Sequence, residues 1–326
     1  MTGLLLAVAA ATVFSGVWPW APLVVAAVGV GWAVVAAPVR LDDWRLPAVL
    51  LALGAGRLIS AIAHGSGSVL VILAPLVAVV AFGVFRGRRG RIRAALCELG
   101  PLLVALALGN LISGDPNYLC HRNLLAACMI PSLVALIDAR RVGWALLVGA
   151  GLLSTLSRGG IISAAIAVAW QLSAVHIMAP ITAAGVPVLL RVRFPGTISW
   201  RWGCWSHVLT TWWSQSPLIG GPPGTPVWPG HRVAIHGHNI FISTIAWSGA
   251  VGLTLLVGGL ALTAAAIPRH AWRSWPAAGL LGLAANHMVD DRTMGALALL
   301  LIAALLAAVP GQTRPPDPLA DPLLGG

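Results

Sequence analysis

Along most of this chain apolar residues follow one another without the regular polar interruptions of a half-buried helix or strand, and the runs stop at clusters of Pro, Gly and Arg. The pattern predicts helical spans near 3–17, 22–37, 46–63, 67–85, 94–112, 123–138, 142–156, 160–178, 179–190, 238–267, 276–289 and 294–309. The first, ninth and eleventh are short, and 160–190 reads as two spans or one bent one. No fixed-period repeat interrupts the series. The fold class expected is therefore all-α: a polytopic membrane bundle of about twelve transmembrane helices in a single integral membrane domain, 1–326.

Composition supports the same class. Charged residues are 9% of the 326 positions, against about 25% in globular domains, and the hydrophobic set is 58%. Low-charge disordered chains lack so much Leu, Val, Ala and Trp. The charge of +11 comes wholly from arginine, for lysine is absent and Glu98 is the one glutamate. Part of it reflects a bias toward Arg, Ala, Gly and Pro, so it is not read as nucleic-acid binding. Cys97, Cys120, Cys128 and Cys204 have no metal-ligand spacing. Cys97 and Cys128 fall within spans as packing residues, while Cys120 and Cys204 fall in expected outer loops, where a disulfide is permitted but not required. No basic residue precedes the first apolar run, which argues against a cleaved signal peptide.

Five arginines between Arg86 and Arg93 separate two apolar runs, and the positive-inside rule assigns them to the cytoplasm. Counting spans in both directions then puts Arg40, Arg45, Arg140, Arg141, Arg269, Arg273 and Arg314 on the same side, with both termini and a short cytoplasmic tail, 310–326. Residues 191–237 become an extracytoplasmic loop between transmembrane helices. The loop holds Arg191, Arg193, Arg201 and Arg232, no acidic residue and six of the fifteen tryptophans. Interfacial anchoring accounts for most of those rings, and an aromatic, cationic loop also suits a lipid-linked anion.

Three groups of residues carry candidate chemistry. Ser157-Arg158-Gly159-Gly160 joins two spans at the outer face, where an arginine near hydrocarbon asks for a reason. A snorkelling arginine with a glycine turn is the plain reading; an anion site with glycines leaving room for it is the functional one. Trp200-Arg201-Trp202 precedes the Pro/Gly-rich turn Ser216 to Gly224, and His238-Asn239 precedes Gly249 and Gly252. Arg57, Glu98 and His287 lie within or beside spans, where a packing role and a functional one are equally open.

With Asp115-Pro116-Asn117-Tyr118 added, these elements resemble, in order, the motifs of the O-antigen ligase and O-antigen polymerase family of bacterial membrane glycosyltransferases. Asp115 stands where that family has an asparagine, and Pro222 and Pro223 alter its glycine turn. The resemblance implies transfer of a glycan from an undecaprenyl diphosphate carrier to an acceptor hydroxyl on lipid A core or on another glycan or protein. The resemblance also implies the bacterial cytoplasmic (inner) membrane as the setting, with a site facing the periplasm or cell exterior. It implies a metal-independent inverting enzyme without cofactor, in which Arg158 and Arg201 hold the diphosphate and His238 is the base. Asn239, Asn117, Asp115, Arg122, Arg232, Gly159 and Gly160 complete the expected site. The composition is compatible: Asp115, Asp290 and Asp291 are the only outer carboxylates, a weak set for a divalent ion, whereas guanidinium grips phosphate bidentately. Ligase, polymerase and protein O-oligosaccharyltransferase readings stay open within the family. A glycan or lipid transporter is the alternative from another class, and it would place Gly/Pro-broken segments at the midplane of both halves.

Overall fold

The computed structural model describes residues 2–13, 21–36, 39–40, 43–115, 117–172, 195–223, 239–288 and 296–310; within them, the side chains at 70, 195–201 and 215 are not described. All regular structure there is helical. The helices are α1 (Thr2–Val13), α2 (Ala21–Ala36), α3 (Ala48–His64), α4 (Val69–Phe85), α5 (Arg89–Ser113), α6 (Arg122–Asp138), α7 (Val142–Ser154), α8 (Arg158–Gln171), α9 (Pro195–Gln215), α10 (Ile240–Ala266), a 3-10 turn (Arg269–Arg273), α11 (Trp275–His287) and α12 (Ala296–Ala308). Eleven of the expected spans have a helix where the apolar run predicted one. The span expected at 179–190 lies outside the described residues.

Two of these helices, α5 with 25 residues and α10 with 27, are long and apolar enough to cross a membrane. The other apolar helices have 17 residues or fewer, below the roughly 20 that a hydrocarbon core asks of a straight helix. An all-α fold with two membrane-length helices is thus what the described residues establish.

Helix α12 is apolar on every side and buried along nearly its whole length, the signature of a central helix. Its C-terminal carbonyls are capped by Arg86, whose Nη1 donates to the Val309 oxygen at 2.9 Å. A buried cation at a helix C-terminus also meets the negative end of the helix dipole. Helix α6 is the second core element, with Leu125 to Ser132 all buried.

Small residues decide how closely the helices approach. A Cβ on Gly56 of α3 would lie 3.1 Å from the Gly252 Cα of α10, and one on Gly259 would lie 2.7 Å from the Ala52 Cβ. The paired positions run in opposite senses, so α3 and α10 are antiparallel with backbones nearly touching. By the same test α5 and α7 are parallel (Gly100 against Val148, Gly151 against Val104), and α11 is antiparallel to both α6 and α8 (Gly279 against Val134; Gly282 against Ile130 and Ala167).

The region 191–237 is more than the loop expected from sequence, because Pro195–Gln215 is a helix, α9. It is amphipathic rather than apolar. Cys204 and Val208, one turn apart, are buried against Ile242 and Ala246 of α10, while Trp202 and Trp213 are exposed. A search for uninterrupted apolar runs passes over such a segment. All four cysteines are free thiols, so Cys120 and Cys204 are not paired.

Candidate functional site at one end of the bundle

The described part of the Pro/Gly-rich turn, residues 216–223, and the Gly249–Gly252 pair, separate in the sequence, form one joint. Helix α10 is broken at Gly249, which has φ 58° and ψ −156°. The break frees backbone groups, and the turn satisfies them: Gly221 N donates to Ala246 O (2.7 Å), Ala250 N to Pro217 O (2.9 Å) and Val251 N to Leu218 O (3.1 Å). A Cβ on Gly249 would sit 2.4 Å from the Leu218 carbonyl, and one on Gly220 (φ 73°) would sit 2.6 Å from the Ser248 nitrogen. Neither position admits a side chain. The other flank of the turn is held by α3 and α4, through Ser60 Oγ to Gly221 O (2.9 Å), the His64 ring to Gly220 O (2.7 Å) and Ser68 N to Pro223 O (2.7 Å). Nearby, buried Arg57 donates to Val71 O at 2.9 Å and lies over the Trp247 ring at 5.8 Å, which is a packing role.

Arg158 opens α8, and Ser157 caps the helix by accepting from Gly160 N at 3.3 Å. Gly160 is buried against α6, for a Cβ there would come 2.3 Å from the Ala126 Cβ. The room that Gly160 leaves is thus taken by a neighbouring helix and not by an anion. The consequence for charge is useful. Gly160 meets Ala126 near the starts of α8 and α6, and Gln171 Nε2 donates to Val134 O at 3.1 Å towards their ends, so the two helices run in the same direction and Arg122 and Arg158, the first residue of each, lie at the same end of the bundle at two positive helix ends. Both arginines are half-buried, as is Gly159.

Asp115 and Asn117 are exposed and serve their own turn: Asp115 Oδ1 accepts from Asn117 N (2.9 Å), and Asn117 Oδ1 accepts from Arg122 N (3.3 Å). Asn117 therefore fixes the start of α6 and with it Arg122. A residue the sequence did not single out, buried Asn110, anchors the same loop by donating to Cys120 O (2.7 Å) and accepting from Leu119 N (2.6 Å). Burial pushes the Cys120 thiol up from its ordinary 9.0 to about 11.

Asn239 caps α10, its Oδ1 accepting from Phe241 N (2.8 Å) and Ile242 N (3.2 Å), while its Nδ2 donates to Met288 O (2.9 Å) beyond the end of α11. That bond brings the start of α10 to the end of the bundle that carries Arg122 and Arg158. A second residue missed in the sequence lies there as well. Asn286 of α11 is fully buried with no hydrogen bond to either end of its amide among the described residues. It follows Gly282 by one helical turn, and Gly282 packs on Ile130 and Ala167, so Asn286 lies level with Ala126 and Gly160, beneath the arginines. A buried residue at the C-terminus of an apolar helix gives no sequence signal beyond its polarity.

The side chain of Arg201 is not described, although its backbone belongs to α9, and Arg232, His238, Asp290 and Asp291 lie outside the described residues. Among the described residues no group of three His, Cys, Asp or Glu side chains is placed to hold a metal ion. No family model, curated protein or solved structure matches the chain.

Proposed function

We propose that this chain is a multi-pass glycosyltransferase of the bacterial cytoplasmic membrane, of the O-antigen ligase and polymerase type. It transfers a glycan from an undecaprenyl diphosphate carrier to an acceptor hydroxyl on the outer face. One observation carries the reading: the parallel first turns of α6 and α8 bring Arg122 and Arg158 to a single end of the bundle, beside the Asn239 cap. Two guanidinium groups at two positive helix ends form an anion-binding surface suited to a diphosphate leaving group. As the sugar–phosphate bond breaks, negative charge grows on the bridging oxygen, and cations already in place stabilise it without reorganising.

In this proposal Arg158 and Arg201 grip the diphosphate, Arg122 and Arg232 supplement them, and His238 takes the proton of the attacking hydroxyl. An imidazole has a reference pKa of about 6.5, well matched to that transfer near neutrality. Asn239 fixes the backbone beside His238. The transporter alternative draws no support from the break in α10, because the turn 216–223 fills it and satisfies the freed groups.

The test is glycan transfer from a lipid diphosphate donor by purified protein. Arg122→Lys and Arg158→Lys keep the charge and lose the planar fork. Each is expected to lower turnover by roughly 10–100-fold, with Arg269→Lys near wild type, since removing a transition-state donor outright typically costs about 100-fold or more and lysine retains the charge though not the fork. Wild-type turnover in both Arg158→Lys and His238→Gln would remove the proposed site.

A further inference from the structure

At the opposite end of α6 from Arg122 lies a second basic feature that the transfer chemistry does not use. Gly90, Arg93, Ala94 and Cys97 share one face of the first turns of α5 and oppose the connection Asp138 to Arg141 between α6 and α7. Between them is a cleft of about 360 Å³. Arg93 Nη1 on the α5 wall donates to Asp138 Oδ2 on the opposing wall at 2.7 Å, which neutralises one charge and ties the two walls together. Arg140 and Arg141 are exposed on the Asp138 wall, so the lining keeps two positive charges in excess.

Three further features make this cleft more than a scatter of surface arginines. Helices α5 and α7 both start beside it, at Arg89 and Val142, and turn their positive ends toward it. Arg140 adopts φ 56° at the helix stop where glycine usually sits, a conformation costing about 1 kcal/mol or more that aims a charged side chain where glycine would leave none. Gly90 has nothing within 4 Å of where its Cβ would be, so its missing side chain keeps the cleft open.

We propose that this cleft is a phosphate-ester site that takes the headgroup of an anionic phospholipid from the cytoplasmic leaflet. At about 30 Å³ per water, the volume holds roughly a dozen waters, room for a phosphodiester with its glycerol. The lining has no aromatic ring on which a nucleobase would stack, and its apolar part is Ala94, Cys97 and Ala139. Basic pockets between helices at the cytoplasmic surface are suited to such headgroups. The lipid source rests on the membrane reading above; the phosphate chemistry does not. Helix α6 has 17 residues, so the cleft and the Arg122 end lie about 25 Å apart.

The test uses the full chain, delipidated in neutral detergent, with native mass spectrometry as the readout. Short-chain phosphatidylglycerol is the probe, phosphatidylcholine of equal chain length the control, and inorganic phosphate the competitor. Phosphatidylglycerol is expected to bind one to one and saturably, while phosphatidylcholine does not. Binding should weaken at least tenfold in Arg140→Gln/Arg141→Gln and in Gly90→Leu, and stay unchanged in Arg269→Gln/Arg273→Gln. Gly90→Leu fills the cleft without removing a charge, so it tests the site even if the arginine variant misfolds. Lipid binding that inorganic phosphate does not displace supports the membrane source. Phosphate binding with the same variant dependence supports the site with a soluble source. Binding of neither probe, or equal loss in the Arg269/Arg273 variant, overturns the proposal. Because the readout is binding and not transfer, either result leaves the glycosyltransferase reading to its own assay.

Discussion

Gly249→Ala tests the joint between α10 and the 216–223 turn, on which the packing of three helices depends. The native φ and ψ lie in a region open almost only to glycine, and holding an alanine there costs about 1–3 kcal/mol. The new Cβ would also meet the Leu218 carbonyl at 2.4 Å, and backbone cannot swing aside as a side chain can. Relief means moving the turn away, which strains three hydrogen bonds across the joint, each worth about 0.5–1.5 kcal/mol net. Together these give a loss of roughly 3–6 kcal/mol. At about 2 °C per kcal/mol for a chain of this size, the thermal midpoint in detergent should fall by roughly 6–12 °C. Gly258→Ala is the control, since it lies in the same helix with nothing within 4 Å of the new Cβ, and it should be neutral or stabilising by up to about 1 kcal/mol. A Gly249→Ala midpoint equal to that of Gly258→Ala would mean that the break is not part of the folded protein.

The pairing of α6 with α8 predicts that Gly160→Ala loses about 1–3 kcal/mol by overpacking against Ala126, and that Ala126→Gly in the same chain restores it; the check is the thermal midpoint of the double variant against both singles. Cys120 predicts an alkaline effect. Its thiol keeps its proton in the folded state until about pH 11 but only to about 9 when unfolded, so the folded state binds more protons between those values and stability falls as pH rises through them. About 2–3 kcal/mol should be lost across that window, and the extra slope should vanish in Cys120→Ala; identical slopes would place the thiol in water. For topology, a thiol reagent that cannot cross membranes should reach a cysteine replacing Gly224 in intact cells and miss one replacing Gly90. The reverse pattern would invert the orientation and move the proposed transfer site to the cytoplasm.

The sequence by itself determined the helical class and the place of almost every helix, because long apolar runs cut by Pro, Gly and Arg leave the backbone few other ways to satisfy itself. It also singled out segments that the fold uses structurally: Ser157 caps α8, the Pro/Gly turn fills the break in α10, and Asn239 caps α10. What it did not contain was the partner of each. Gly249 is an ordinary glycine in an apolar run until the turn 30 residues earlier inserts its carbonyls there, and Gly160 looks like space for a ligand until α6 fills it with Ala126. The amphipathic helix α9 was hidden because its register shows only against Ile242 and Ala246. Asn110 and Asn286 gave no local signal, since burial is a property of neighbours far away in sequence. Tertiary structure alone decided that two helix starts lie side by side, because which helices run parallel and how closely they approach depends on small residues meeting across elements. A linear pattern records those residues without recording what they touch.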